Sequence, residues 1–152
     1  MNVNANVNVK RIDDFKVGDK EFFSKTISES DVYLYAGVTG DLAPHHVNAD
    51  YAKGTRFKER IAHGLLIAGV MSSALTKLVA PGAVTLSHEV FFLAPVYFGD
   101  TVYAEVEVKE VDLEKRVLNI RTVVRNQDGV MVLDGSAVEK FPKAAGEGKD
   151  AK

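Results

Sequence analysis

With 152 residues, 46% of them apolar and 26% charged, the chain carries enough apolar content for one domain with its own core. A net charge of −2 offers no basic face for nucleic acid. The absence of cysteine excludes disulfides and thiol nucleophiles, and leaves histidines and carboxylates as the strong metal ligands. The opening MNVNANVNVK has neither a basic start nor an apolar stretch of signal-peptide length, so a cytoplasmic soluble protein is expected. Residues 1–14 read as a loosely attached N-terminal segment. The alternation of Asn with Val or Ala over residues 2–9 has a strand's period, but Asn disfavours strands. Residues 16–19 (KVGD) suit a turn, and residues 20–27 a strand.

Residues 28–31 (SESD) form an N-cap pattern, a hydroxyl followed three residues later by an acid, and the helix they start ends at Gly37 or Gly40. Residues 40–47 then read as a non-helical loop, with Pro44 biasing Ala43 away from helix. A short helix near residues 49–52 follows. Residues 61–79 (IAHGLLIAGVMSSALTKLV) are free of charge from Gly64 to Leu75. A helix of that length is too short for an ordinary membrane span, and one apolar on all sides belongs inside a fold. After Pro81 and Gly82 the period changes to two. Val84, Leu86, His88, Val90 and Phe92 are expected on one strand face, followed by strands in which Val102, Ala104, Val106 and Val108, then Leu118, Ile120, Thr122 and Val124, alternate with polar residues. Gln127, Asp128 and Gly129 signal a hairpin into a last strand over residues 130–141. These read as successive antiparallel strands joined by short turns. Residues 143–152, rich in Gly, Ala and charge, are expected to be disordered. The layout is α+β, an antiparallel sheet wrapped around one long central apolar helix. Such a sheet has an unpaired edge, which argues for a homodimer.

Several residues could carry chemistry. Asp41 and His46 sit five apart in a loop with Gly and Pro, and a carboxylate beside an imidazole can handle the protons of a water molecule. They also have plain roles: Asp41 as a turn cap, His46 as a packing residue. Gly64 stands at the first turn of the apolar helix, where backbone N–H groups lack acceptors and a glycine permits close approach. It suits an oxyanion site or simply tight packing. Ser72, two turns on, has the usual option of bonding back to a carbonyl four residues earlier. His45 and His46, if extended, point in opposite directions, and His88 lies among apolar neighbours. No HExxH or helical His pair marks a metal site, so none is expected.

Three blocks together resemble a known family. YLYAGVTGDLAPHHVNADYA (33–52), RFKERIAHGLL (56–66) and FFLAPVYFGDTVYAEVEV (91–108) closely resemble the MaoC-like branch of the hot-dog fold, the (R)-specific enoyl-CoA hydratases. The likeness runs in order over about residues 15–141, with residues 15–142 as the single domain. It implies that Asp41 and His46, with Pro44 between them on the Asp-x-Asn-Pro-x-His motif, activate water for addition to a trans-2-enoyl thioester, giving the (R)-3-hydroxyacyl product. It implies that the Gly64 amide holds the thioester carbonyl and that the Ser72 position lines the same site. It implies no bound cofactor, since CoA or acyl carrier protein is part of the substrate. His45, His63 and His88 are read as structural. The sequence departs from the motif at Ala43, where the family has Asn. Alternatives of the same fold are a 3-hydroxyacyl-carrier-protein dehydratase, for which Lys53, Arg56, Lys58 and Arg60 would meet an acidic carrier, and an acyl-CoA thioesterase.

Overall fold

The structure is a computed structural model that describes residues 9–143. The strand-like pattern at residues 2–8 and the tail at residues 144–152 lie outside the described residues. Ile12, within the N-terminal segment, is buried in the same core as the helix and sheet, beside the Phe15–Phe141 ring pair (5.3 Å between centroids).

Strand β1 (Lys20–Thr26) follows the expected turn, which Asp19 closes by accepting the amide of Lys16 at 2.9 Å. Helix α1 (Glu29–Thr39) begins with the predicted capping box. Ser28 Oγ accepts the Asp31 amide, and Asp31 Oδ2 accepts the Ser28 amide at 2.8 Å. The helix ends at Gly40, whose φ of 77° lies in the left-handed region a glycine occupies cheaply. Helix α2 (Pro44–Val47) corrects the expected loop. Pro44 cannot donate an amide, which costs nothing at the first helical position, and one helical turn forms behind it. Helix α3 (Ala49–Lys53) and the long α4 (Gly64–Val79) follow.

Strands β2 (Val84–Phe92), β3 (Thr101–Asp112), β4 (Val117–Arg125) and β5 (Met131–Lys140) complete one antiparallel sheet in the order β1-β3-β4-β5-β2. Strand β2 therefore pairs with β5, not with its chain neighbour β3. The expected alternation is met on β3 and β4, where Val102, Val106, Val108, Leu118, Thr122 and Val124 are fully buried. On β2 it is not. A register shift between Thr85 and Ser87 leaves Leu86 unpaired, so Thr85, His88, Val90 and Phe92 share the inner face and Val84 does not.

Helix α4 lies across the inner face of the sheet. Ile67, Val70, Met71, Ala74, Leu75 and Leu78 recur at helical spacing and form its buried stripe. The expectation of a helix covered on all sides holds for that stripe alone: Leu65, Gly69 and Thr76 on the opposite side are exposed in the single chain. Among the described residues, no helix is long and apolar enough to cross a membrane.

Candidate active site

The left-handed Gly40 turns the chain out of α1 and into residues 41–43. There Asp41 Oδ1 accepts the amide of Ala43 at 3.2 Å, the turn-capping role its type allows. Ala43 is the N-cap of α2 but has no side chain with which to cap it. The α2 turn is then docked on residues 61 and 62. The Ile61 amide donates to the His45 carbonyl at 3.2 Å, while the Ala62 amide donates to the Val96 carbonyl at 2.8 Å. This short extended stretch, clamped on both sides, delivers His63 and Gly64 to the start of α4.

His46 is buried, and its Nδ1 faces the Ile61 carbonyl at 2.7 Å. A carbonyl only accepts, so Nδ1 carries the proton and Nε2 of the neutral ring keeps its lone pair. Burial pushes the His46 imidazole below its ordinary pKa. The Ile61 bond opposes that, and the nearby His63 and His45 add to it. The ring therefore stays neutral, and basic, to lower pH than a free histidine. Asp41 Oδ2 lies 4.0 Å from His63 Nε2, and half of the Asp41 side chain is open to solvent. One donor atom from each of Asp41, His46 and His63 lies within 4.8 Å of the others. A cation that took His63 through Nε2 would compete with the bond from that nitrogen to the Asp41 carbonyl at 2.9 Å.

These groups open on a cavity of about 370 Å³ with predominantly apolar walls, among them Phe57, Leu65, Phe92 and Leu93. At its floor is the first turn of α4. The amides of Leu66 and Ile67 both turn back to the His63 carbonyl, and the amide of Gly64 finds no acceptor among the described residues. A Cβ on Gly64 would stand 2.9 Å from the Phe92 ring, so the glycine makes room for that wall as well as for close approach to its backbone. Arg56 reaches the cavity mouth with its guanidinium 4.7 Å over the Phe57 ring. Two of its basic neighbours are paired elsewhere: Arg60 with Glu29 at 2.6 Å and Lys53 with Asp50 at 2.9 Å.

The fold thus brings Asp41, His46 and Gly64 together. Ser72 is half-buried farther along α4 and is not in the cavity lining. His45 and His46 do not point in opposite directions, because α2 sets their rings 4.0 Å apart. The residue that sequence reasoning set aside as structural is His63. It is buried between His46 (3.8 Å, stacked) and Tyr35 (4.8 Å), and it lines the cavity. Its sequence signal is the Ile-x-His-Gly run at the helix start, Ile61 to Gly64, which the resembling family shares.

A MaoC like domain matches residues 16–129. The chain belongs to the MaoC-like family. It is 46% identical over 131 residues to an (R)-specific enoyl-CoA hydratase of Rhodospirillum rubrum, covering 86% of this chain and 90% of that protein. It is 45% identical over 132 residues to a 3-hydroxybutyryl-CoA dehydratase of Methylorubrum extorquens, covering 86% and 83%. Among solved structures, an unliganded R-hydratase of Pseudomonas aeruginosa superposes with a TM-score of 0.81 at 38% identity, over 88% of this chain and 86% of that one. The five-stranded sheet and long helix of this MaoC-like chain are accordingly the hot-dog fold.

Proposed function

We propose that this MaoC-like protein is a cytoplasmic (R)-specific hydratase that adds water to a trans-2-enoyl-CoA and, in reverse, dehydrates the (R)-3-hydroxyacyl-CoA. The observation that carries the reading is the meeting of an imidazole lone pair and a carboxylate beside the unpaired Gly64 amide in an apolar-walled cavity. The thioester carbonyl sits at the Gly64 amide, where enolate charge develops and the helix dipole is favourable. His46 Nε2 takes a proton from a water that Asp41 orients. The water oxygen bonds to C3 and the double-bond electrons move toward the carbonyl. The enolate collapses by taking the proton at C2, which leaves the dyad as it began. Water and the thioester supply every atom, so the reaction needs no bound cofactor or metal.

Arg56 at the cavity mouth supports a phosphate contact with the carrier, a feature CoA and acyl carrier protein share. The open face of α4 and the apolar free edge of β2 support a homodimer.

The test follows the enoyl-thioester absorbance with crotonyl-CoA, alongside Asp41→Asn. The expected outcome is loss of the chromophore by the wild type, with an (R)-3-hydroxy product and no free thiol. Asp41→Asn should fall by at least ~10³-fold in kcat. The acid-side fall of wild-type kcat/KM should lie below the ordinary histidine value of 6.5, because His46 must be neutral to act and its burial holds its pKa down. Thiol release from a saturated acyl-CoA would replace this reading with a thioesterase.

A further inference from the structure

His63 makes a pair of contacts that its position at a helix start does not require. Its Nε2 meets the backbone carbonyl of Asp41 at 2.9 Å, and its ring stacks on His46 at 3.8 Å between centroids, with 29° between planes. One buried side chain thus touches both members of the dyad, which are held by different elements: Asp41 by the turn after α1, His46 by α2. From the geometry we infer that His63 is the positioning residue of the site, fixing Asp41 against His46 by donating a hydrogen bond to the Asp41 peptide.

The proton positions follow from the partners. The Asp41 carbonyl accepts only, so His63 carries its proton on Nε2. The Ile61 carbonyl accepts only, so His46 carries its proton on Nδ1. The two stacked rings are therefore opposite tautomers, each locked by a backbone carbonyl. His63 Nδ1 is buried with no partner among the described residues. A buried, unpaired ring nitrogen is costly, and a residue with only a packing duty would be better served by a phenyl ring. The bond to Asp41 matters because the Asp41 side chain is half exposed and, among the described residues, its carboxylate accepts one hydrogen bond, the local one from the Ala43 amide. Without an anchor on its peptide, the turn that carries it is free to drift from His46. Misplacement on the scale of 1 Å costs about 10²-fold in rate. Of the two contacts the bond is the directional one, since any flat ring of similar size reproduces the stack.

The inference rests on the hydratase reading, and the experiment separates the two. In wild-type protein labelled with ¹⁵N-histidine, the neutral His63 ring should carry its proton on Nε2 and the neutral His46 ring on Nδ1. His63→Phe keeps a stacking ring and removes the donor. It should lower kcat on crotonyl-CoA by at least about tenfold, with KM changed less than about threefold. His63→Gln returns an amide donor at the same reach and should exceed His63→Phe in kcat by at least about threefold. A proton found on Nδ1 of His63, a His63→Phe variant within tenfold of wild type, or Gln and Phe variants equally impaired would each overturn the inference. If the Phe variant does not fold, the tautomer spectrum decides alone. A wild-type protein that hydrates no enoyl thioester overturns the proposed function instead, and the spectrum still tests the bond.

Discussion

Two regions of this protein depart from the usual rule of polar outside and apolar inside, in opposite directions. At the start of α4, two histidines are buried against each other with a carboxylate beside them. Along β2, by contrast, apolar side chains stand open to solvent: Val84 is 66% and Leu86 61% exposed, with Phe91, Phe92 and Leu93 each above half. The first departure costs stability, because each buried polar group must find a partner in the interior. The second costs solubility, since an unpaired apolar edge invites another strand. A chain that keeps both makes sense if the first is a working site and the second is covered by a second copy. The two meet at Phe92 and Leu93, which belong to the open edge of the sheet and also wall the cavity.

The comparison can be broken most decisively at the edge. Val84→Lys with Leu86→Lys places two charges where the second copy would pair. Sedimentation velocity should show a dimer for the wild type and a monomer for the variant; a variant that remains dimeric moves the interface to another face. Next is Glu139, a buried acid on β5 opposite Thr85, whose hydroxyl donates to it at 2.7 Å. Burial pushes its carboxyl above the ordinary 4.5, against the opposing pull of Thr85 and His88. A raised folded pKa means that the stabilisation is complete below the unfolded value and is lost as pH rises through the folded one. Glu139→Gln should therefore raise Tm by about 5 °C near pH 8, with the gain shrinking as pH falls toward 4.5. A gain that grows on acidification would contradict a buried carboxyl there.

The smallest effect tests the departure from the family motif. Ala43 leaves α2 without a side-chain cap, and Ala43→Asn would supply one just before Pro44. An N-cap of this kind contributes about 1 kcal/mol, or about 2–4 °C in Tm for a domain of this size. Calorimetry should show that increase with kcat on crotonyl-CoA little changed, because the Ala43 carbonyl already holds the His46 amide at 2.8 Å. A fall in Tm would show that the turn cannot accept the longer side chain.

Period-two patterning gave the interior strands correctly because β3 and β4 have neighbours on both sides and one face against the helix. The same reasoning failed on β2, where one unpaired residue, Leu86, reverses the faces, and a bulge leaves no mark in a run of alternating residues. The α2 turn leaves no plain mark in the sequence, because proline reads as a helix breaker unless its place at the first helical position is known. Asp41, His46 and Gly64 are singled out by the resemblance to the hydratase family. Periodicity alone left each with a plain structural role.

The features legible along the chain are therefore local: the capped α1, the glycine that ends it, the apolar stripe of α4, and the alternation on β3 and β4. Each depends on residues within a few positions of one another, and on backbone and hydrophobic preferences that act at that range. The pairing of β2 with β5, the open face of α4 in the single chain, and the contacts of His63 with Asp41 and His46 arise in the packed fold. Those outcomes depend on contacts between residues far apart in the chain, as with the Asp41 carbonyl that meets His63 twenty-two residues on. No local preference specifies such a meeting; it follows from how the packed elements orient the rings and carbonyls they carry.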